Sequence, residues 1–449
     1  ADWPSGYYQA LLRGEDRAGN RVRGEAAFAV RSARPGRDAA ILLQRPTNTE
    51  AAYNSWGGST FYTGPRGPAR RLSFERPFAG FPGTERFRFT VRGEFAADLD
   101  RGIVPEALAE SLAAGGVEVS PWRGVDVERP GERWHILDVG FLSTLVRRGD
   151  RIAVFDGFST WLSCWHHWER HFVAWAEAAG YAIDYAVNGD LESNPELLEG
   201  YRLVLSVGHD EYWSAPMRDS LEGFVGAGGN AAFFSGNVSW WQVRSEEEGR
   251  ALVCWKDEME RDPHFASGDH ATLSTLWCHR LIGRPENRLT GVSFAYGGYH
   301  GFFSGTPQTG AYTVHRPGHW LFAGTGLKQG DLPGEKDQIV SYECDGCALQ
   351  AVGGLPVPTC RDGTPDTFEI LATAPASLSD GDDSIAMASE AIYGPGAGRR
   401  LTEGAAVLGT FSRGGTVVTT GCTDWCMGLK GGDPAVDRIT RNIMDRLSA

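Results

Sequence analysis

Residues 201–214 read YRLVLSVGHDEYWS, and this stretch decides the fold class. Its first half, residues 202–207, is a continuous apolar run of the kind that forms a strand buried on both faces of a parallel sheet. From Gly208 onward, ionisable side chains follow that strand directly, and Ser214 is a favourable N-cap for the next helix. A buried strand, a polar loop and a helix start in succession predict an α/β unit with a parallel sheet.

The flanking sequence repeats this alternation of elements. Before the buried strand, aromatic residues recur every three or four positions and predict one face of a helix: Trp165, Trp168, Phe172 and Trp175. Residues 181–187 and 231–235 predict the neighbouring strands, which right-handed crossovers would join in one sheet. We therefore predict an α/β fold with a parallel amidotransferase-like or flavodoxin-like sheet, helices on both faces and substantial β-rich additions.

Outside this core the chain consists mainly of turns and strand-like segments. Apolar spacing predicts a short helix at 138–146, a strand at 338–342 and a closing helix at 433–447. The resulting division has four parts: an N-terminal β-rich segment that contributes to the core sheet (1–100), an α/β core with the candidate site (101–245), a β-rich and loop-rich insertion (246–366), and C-terminal strands with a helix that packs back on the core (367–449).

Composition excludes several classes of function. The 449 residues are 41% hydrophobic and 22% charged, as in folded globular proteins. A net charge of −14 argues against nucleic acid or an anionic membrane as the main partner, because both attract basic surfaces. No apolar run approaches the roughly 18 residues that a membrane span needs. No signal peptide is visible, as is also true of a processed chain, so we expect a cytoplasmic protein.

The eight cysteines are too few for a disulfide scaffold in a chain of this length. The favoured interpretation is a set of reduced, partly buried thiols. The alternative is a structural zinc site that uses Cys344, Cys347 and Cys360, although the second CxxC of a zinc finger is missing.

The polar residues after the buried strand are the strongest candidates for chemistry. His209, Asp210, Glu211 and Tyr212 lie between a strand end and a helix start, where open α/β sheets bind ligands and the helix dipole favours anions. A carboxylate or tyrosinate there suits a general base or a metal ligand. The alternative is that the carboxylates cap the helix while the aromatic residues pack in the core.

Two histidines in the preceding segment form a second candidate. His167 and His171 are four residues apart, so one face of a helix presents both imidazoles to a transition metal. The alternative is an amphipathic helix whose imidazoles are satisfied or exposed. The metal interpretation gains if this helix lies beside the loop at 208–213, as consecutive α/β elements usually do.

Other predicted strand ends carry polar side chains as well. Asn237 suits a substrate carbonyl or an oxyanion, and Asp424 suits acid/base chemistry or the capping of a turn. The tryptophans near these ends predict an apolar or carbohydrate-stacking wall. The full set of predicted substrate-binding residues is Asn54, Trp56, Trp213, Asn237 and Trp240.

Several stretches together resemble one family. They are YNSWGG at 53–58, GHDEYWS at 208–214, GGN at 228–230, SGN at 235–237, WQVR at 241–244, DGTP at 362–365, TDW at 423–425 and GGDP at 431–434. They span nearly the whole chain and resemble the large (β) subunit of bacterial N,N-dimethylformamidase. The resemblance is closer still to the bacterial proteins grouped with the C-terminal domain of that subunit.

The resemblance implies a glutamine-amidotransferase-like core and hydrolysis of a small amide at a mononuclear iron held by two tyrosines and a glutamate. Fe(III) would act as a Lewis acid that polarises the amide carbonyl and activates water. Tyr212 matches one of these tyrosines, but His171 stands where the second is expected, and residues 289–297 contain no glutamate. The family's iron site is therefore predicted not to be intact.

We predict a hydrolase of a non-peptide C–N bond in a small polar, amide-type substrate. Its candidate catalytic residues are His209, Asp210, Glu211 and Asp424. One transition metal, iron or zinc, is the expected cofactor, and its candidate ligands are Tyr212, His171 and His167, with His209 as a further donor. The alternatives are hydrolysis without a metal and a non-catalytic protein that binds a carbohydrate-like ligand. A second copy of the chain or a small subunit is the expected protein partner.

Overall fold

The computed structural model describes residues 3–15, 17, 21–54, 59–62, 68–76, 87–90, 125–129, 132–138, 144–148, 151–155, 165, 167–301, 306–307, 309–378 and 384–449. The chain divides into two compact units. The first comprises residues 1–52, 70–75 and 165–449, and the second comprises residues 53–69 and 76–164. In the described ranges, no helix has both the length and the apolar character needed to cross a membrane.

The described elements alternate between strands and helices only in part of the chain. The strands are β1 (Gly6–Glu15), β2 (Arg21–Val30), β3 (Ile41–Arg45), β4 (Arg71–Ser73), β5 (Phe87–Thr90), β6 (Val125–Arg129), β7 (Glu132–Asp138), β8 (Thr144–Arg148), β9 (Arg151–Phe155), β10 (Ile183–Val187), β11 (Leu203–His209), β12 (Tyr212–Ser214), β13 (Asn230–Gly236), β14 (Trp241–Glu246), β15 (Ala251–Val253), β16 (Ser293–Tyr299), β17 (Thr313–Val314), β18 (Glu343–Gly346), β19 (Leu349–Val352), β20 (Leu355–Pro358), β21 (Glu369–Ala376), β22 (Gly404–Arg413) and β23 (Gly415–Thr419). The helices are α1 (Thr47–Tyr53), α2 (Glu169–Ala178), α3 (Asn188–Ser193), α4 (Ala215–Gly226), α5 (Pro263–Ser267), α6 (Asn287–Thr290), α7 (Ser384–Tyr393), α8 (Trp425–Gly431) and α9 (Pro434–Leu447).

The first unit is built on a mixed eight-stranded sheet. Its strand order is β10-β3-β11-β13-β23-β22-β21-β17. The first five strands pair in parallel, whereas the last three are antiparallel to their neighbours. The predicted α/β class with β-rich additions is therefore confirmed, and the sheet is mixed rather than wholly parallel.

Helices cover both faces of the parallel strands, which explains why β11 is apolar on both sides. On one face, Phe233 of β13 belongs to the same buried cluster as Met217 of α4. On the other face, the ring of Phe234 lies 5.0 Å from that of Phe172 in α2 and 6.3 Å from that of Trp425 in α8. Adjacent residues of one strand thus anchor helices on opposite sides of the sheet.

Two predicted helix features are confirmed. Ser214 caps α4 by accepting a hydrogen bond from the backbone N–H of Met217. The closing helix is α9, which begins after the N-cap Asp433 and buries Val436 and Ile439 on its inner face.

Three predictions from local patterns are wrong. The helix predicted at 138–146 is wrong at both ends, because Asp138 ends β7 and β8 begins at Thr144, while residues 139–143 lie outside the described residues. No strand covers 338–342, and the strand begins instead at Glu343. Helix α2 begins only at Glu169, so His167 lies in the preceding turn and not on a helical face with His171. A short apolar run fits both the helical period and the strand period, so strand pairing and packing decide which element forms.

The strand order places a switch point between β3 and β11. The chain runs from β3 to its neighbour β10 on one side, and later to β11 on the other side. In open α/β sheets, ligands bind outside the carboxyl ends of the strands at such a point. Arg45 ends β3 and His209 ends β11, so a site is expected at this edge.

The second unit contains an antiparallel sheet of its own, with the order β5-β9-β8-β7-β6. Each strand pairs antiparallel with its neighbour, and β6, β7, β8 and β9 follow one another along the chain. This sheet is one of the β-rich additions to the α/β core.

Glu286 in the first unit gives a prediction about stability and pH. Its side chain is buried, and burial raises its pKa from 4.5 to about 8. Between these pH values the folded protein keeps a proton that the unfolded chain releases. The free energy of unfolding therefore falls as the pH rises, by about 1.4 kcal/mol per pH unit. We expect Glu286→Gln, which removes this ionisation, to be more stable than the wild type by roughly 3 kcal/mol at pH 7.

Urea unfolding of both proteins between pH 4.5 and pH 8 measures this difference. The control is Glu196→Gln, which changes an exposed glutamate of the same unit. Stability curves for the wild type and Glu286→Gln that run parallel over this range would contradict the prediction.

Candidate active site

The candidate site is centred on His209, the last residue of β11. Its side chain is buried, and its Nε2 lies 2.8 Å from Oε2 of Glu343 and 3.5 Å from Oε2 of Glu211. An imidazole can accept a proton and return it within one reaction cycle, and a neighbouring carboxylate stabilises the charged form. The cluster Glu211–His209–Glu343 therefore has the composition of an acid/base system.

Both carboxylates of this cluster are held by side chains from neighbouring segments. Nε1 of Trp241, in β14, donates a hydrogen bond to Oε1 of Glu211 over 2.8 Å. Nδ2 of Asn237, just after β13, donates a hydrogen bond to Oε2 of Glu343 over 3.1 Å. The donors fix the two carboxylates before any substrate arrives, as an effective catalytic site requires.

Left-handed backbone conformations cluster around the same site. The non-glycine residues concerned are Asn237 (φ 50°), Ser239 (φ 58°), Lys256 (φ 53°) and Tyr342 (φ 49°). Asp345 supports the first of them, because its two carboxylate oxygens accept hydrogen bonds from the backbone N–H groups of Asn237 and Val238. Burial raises the pKa of Asp345 to about 7. Such conformations persist only where surrounding contacts maintain them, and they concentrate at functional sites.

Lys256 is a member of this site that the sequence analysis missed. It is buried, and its Nζ lies 4.7 Å from the ring centre of Trp241 and 5.3 Å from that of Tyr212. Burial lowers the pKa of Lys256 to about 8, and the negative charge of Glu211 opposes that shift. A buried ammonium group beside a carboxylate can stabilise a developing oxyanion. Its surroundings in the sequence, KDEMER, resemble an ordinary exposed charged segment.

Glu343 is the second member that the sequence analysis missed. It begins β18 in the stretch SYECDG. No helix follows this stretch, so the sequence lacks the strand–helix transition that marks a candidate site at a strand end. Only the tertiary fold brings it to His209. The backbone carbonyl of Glu343 accepts a hydrogen bond from the N–H of Thr423, which ties β18 to the segment after β23.

The structure places Asp210 and Asp424, two of the predicted catalytic residues, in different surroundings. Asp210 is buried and accepts a hydrogen bond from Oγ of Ser206 over 2.8 Å, and burial raises its pKa to about 6. Asp424 accepts hydrogen bonds from Nε1 of Trp168 and from Oγ1 of Thr423. Asp210 thus supports the strand end, and Asp424 belongs to a second group of polar residues.

Of the predicted metal ligands, His167 lies in that second group. Its Nε2 is 3.7 Å from Oδ1 of Asp424, and 28% of its side chain is exposed. His171 lies in the first turn of α2. Tyr212 has no exposed surface, and its backbone contacts α1 through Asn48 and Thr49. In the part of the chain that the structure describes, no three His, Cys, Asp or Glu side chains are arranged to hold a metal ion.

The predicted substrate-binding tryptophans lie mainly inside the protein. Trp213 is buried, and its Nε1 donates a hydrogen bond to the backbone oxygen of Asp210. Trp240 is also buried and packs against Phe294, with 5.2 Å between the ring centres. Neither ring presents a face to solvent on which a sugar could stack.

The remaining predicted binding residues have different positions. Asn237 lies in the His209 site, where its amide holds Glu343. Asn54 belongs to the second unit, where its backbone oxygen accepts a hydrogen bond from Nη1 of Arg76. Trp56 lies outside the described residues.

Two tyrosines that the sequence analysis did not select meet in the second unit. The hydroxyls of Tyr53 and Tyr62 are 2.8 Å apart, and the ring centres are 4.7 Å apart. The pair supplies two phenol oxygens, which is the type and number of tyrosine donors that the resemblance implies for iron. Tyr53 is the first residue of the YNSWGG stretch and Tyr62 lies four residues after its end, so the position of this stretch was a signal that could have led to them.

Residues 1–439 match the family model described as N,N-dimethylformamidase beta subunit-like, C-terminal. The chain belongs to this family. The resemblance predicted from the motifs is thereby confirmed. A relative, the N,N-dimethylformamidase beta subunit of Alcaligenes sp., is 30% identical over 81 residues. These residues make up 18% of this chain and only 11% of the relative, so the match covers a small part of that protein.

Proposed function

We propose that this protein hydrolyses a non-peptide C–N bond in a small amide-type substrate, with Glu211, His209 and Glu343 as its acid/base system. One observation carries the proposal, namely the buried imidazole of His209 between two fixed carboxylates at the switch point of the sheet. The relative's name as a formamidase subunit supports an amide as the substrate. A carbohydrate-binding role has no comparable support, because Trp213 and Trp240 are buried.

The distances suggest a different role for each member of the cluster. Hydrolysis requires that a proton leave the attacking water and that a proton reach the departing nitrogen. In our proposal His209 carries this proton, and Glu343, at 2.8 Å, stabilises the charged imidazole. Glu211 lies farther from His209, at 3.5 Å, and balances the charge of Lys256. The Lys256 ammonium would then stabilise the oxyanion that forms on the substrate.

We further propose that Tyr53 and Tyr62 would hold the iron that the resemblance implies. A bound Fe(III) would supply Lewis-acid chemistry in the second unit. The hydroxyls of these tyrosines already lie 2.8 Å apart. Tyr212 is less suitable as a ligand, because its ring packs beside the ammonium of Lys256, whose charge repels a metal cation.

This assignment predicts the metal content of variants. We expect the double variant Tyr53→Phe and Tyr62→Phe to lose most of its bound iron and any visible tyrosinate–iron absorption, because both phenol oxygens are removed. Elemental analysis and absorption spectra of the purified proteins measure this. Tyr181→Phe is the control, since the hydroxyl of Tyr181 bonds Asp445 in the first unit. Equal iron content in all three proteins would refute the assignment and leave the acid/base proposal untouched.

The order of the five parallel strands supports a finer proposal about the fold. Numbered by their occurrence in the chain, the strands β3, β10, β11, β13 and β23 are arranged 2-1-3-4-5. This is the order of flavodoxin-like sheets, in which the ligand also binds at the switch point. We therefore propose a flavodoxin-like core that carries an antiparallel extension.

A beta-subunit relative also supports a proposal about assembly. We propose that this chain associates with a small partner subunit or with a second copy of itself, as the sequence analysis expected. Light scattering of the purified protein gives its mass in solution and distinguishes a second copy from a monomer that awaits a different subunit.

A further inference from the structure

Two buried cysteines face each other beside the candidate site. Cys344 in β18 and Cys422 after β23 form an isolated antiparallel bridge. The N–H of Asp345 bonds the carbonyl of Gly421, and the N–H of Thr423 bonds the carbonyl of Glu343. These bonds flank the two cysteines, which are therefore a non-hydrogen-bonded pair with side chains on the same face.

The spacing of such a pair permits a covalent bond between the sulfurs. In non-hydrogen-bonded pairs the Cα atoms are about 4.5 Å apart, within the range of about 4.4–6.8 Å that disulfides span. Both cysteines are buried and free. The two thiols are also close enough for Cys422 to act electrostatically on Cys344.

The sulfur of Cys422 has polar surroundings that a merely space-filling cysteine does not need. The hydroxyls of Tyr312 and Thr420 lie beside it, where they donate to the backbone carbonyls of Thr420 and Phe233. The thiolate is the form of either cysteine that attacks oxidants. Cys344 lies among carboxylates instead, including those of Asp345 and Glu343. The carboxylate of Asp424 acts on both thiols, so either thiol can attack first and the other resolves.

We propose that Cys344 and Cys422 form a reversible disulfide when the protein meets a peroxide. The thiolate of one cysteine attacks hydrogen peroxide, and one oxygen is transferred to its sulfur as hydroxide leaves. The thiol of the other cysteine then displaces water from this sulfenic acid, so two thiols are oxidised while one peroxide is reduced to two waters. Burial raises the pKa of both thiols, so the reduced pair is the resting form and oxidation is slow.

The bond would link the two segments that carry the polar residues of the site. Glu343 directly precedes Cys344, and Asp424 follows Cys422 by two positions. The backbone is tightly packed at this point, because a Cβ on Gly236 would lie 2.4 Å from the carbonyl oxygen of Glu343. Since the pair starts near the short limit for disulfides, the bond would move the backbone next to Glu343. The modification does not depend on what reaction the site performs.

Peptide mapping of the reduced, full-length protein tests the proposal. After exposure to hydrogen peroxide, the protein is denatured and its remaining thiols are alkylated. We expect a linked peptide that contains Cys344 and Cys422, and full recovery of both thiols with dithiothreitol. Alkylation of both cysteines under conditions that oxidise the exposed Cys360, or a link between other cysteines, would overturn the proposal.

Variants sharpen the test. Cys422→Ser should abolish the linked peptide, whereas Cys426→Ser, which changes a buried thiol nearby, should retain it. If Cys422→Ser does not fold, Cys344→Ala tests the same bond from the other side.

Discussion

Replacing His209 with glutamine is expected to lower the rate of amide hydrolysis by roughly 10²–10⁴-fold, the usual contribution of a general acid/base group. Imidazole is a side chain suited to both taking up and releasing a proton, and in the Glu211–His209–Glu343 cluster it is flanked by two carboxylates. Glutamine keeps an N–H donor near Glu343 but cannot carry the proton. The substitution therefore separates proton transfer from the packing of the site.

The measurement is the release of amine from a panel of small amides that begins with N,N-dimethylformamide. Circular dichroism and urea unfolding show whether each variant is folded. His315→Gln is the matched control, since this histidine bonds Oγ1 of Thr373 at the far edge of the sheet. A His209→Gln protein that is folded and as active as His315→Gln would exclude His209 as the proton carrier.

A companion variant assigns the role of Glu343. Glu343→Gln keeps the size of the side chain but removes the charge that stabilises the imidazolium. If Glu343 acts through His209, the double variant with His209→Gln should be hardly slower than His209→Gln alone, because residues that act as a unit are not additive. If the fold-reductions in rate of the two single variants multiply in the double variant, the two residues act in separate steps.

The sequence was sufficient for the core because its pattern there is local. The apolar run of β11, the cap at Ser214 and the helix after it are encoded within residues 203–226, and all were predicted. His209 and Glu211 followed from them, since strand ends at a switch point are where ligands bind. The position of Ser214 shows that even the first residue of a helix can be predicted when a capping side chain marks it.

The rest of the site depends on contacts between distant segments. Glu343 and Lys256 come from stretches without a strand–helix transition, so no local pattern distinguishes them from surface residues. The predicted aromatic wall illustrates the opposite case. Tryptophans at strand ends suit either a binding surface or a core, and only packing shows that Trp213 and Trp240 are interior. Exposure of a side chain is a property of the assembled fold that sequence spacing does not contain.

A second large effect is expected from Gly208, which joins the buried strand to the site. Its φ of +83° is unfavourable for residues with a side chain, and a Cβ there would lie 2.5 Å from Cβ of Trp168. We expect Gly208→Ala to lower the free energy of unfolding by roughly 4 kcal/mol, about 1–2 for the backbone conformation and about 1–3 for overpacking. Relief of the clash must displace Trp168, whose ring edge lies against His209 at 5.8 Å and whose Nε1 bonds Asp424.

Gly228→Ala separates the two contributions. Gly228 also has a positive φ, +104°, but a Cβ there meets no atom within 4 Å, so only the backbone cost applies. Urea unfolding should show Gly208→Ala to be less stable than Gly228→Ala by about 2 kcal/mol, the part due to the clash. Equal losses in the two variants would mean that Trp168 moves aside at little cost. Its contact with His209 would then not hold the imidazole in place, and the fixed geometry on which the proposed proton transfer depends would need another support.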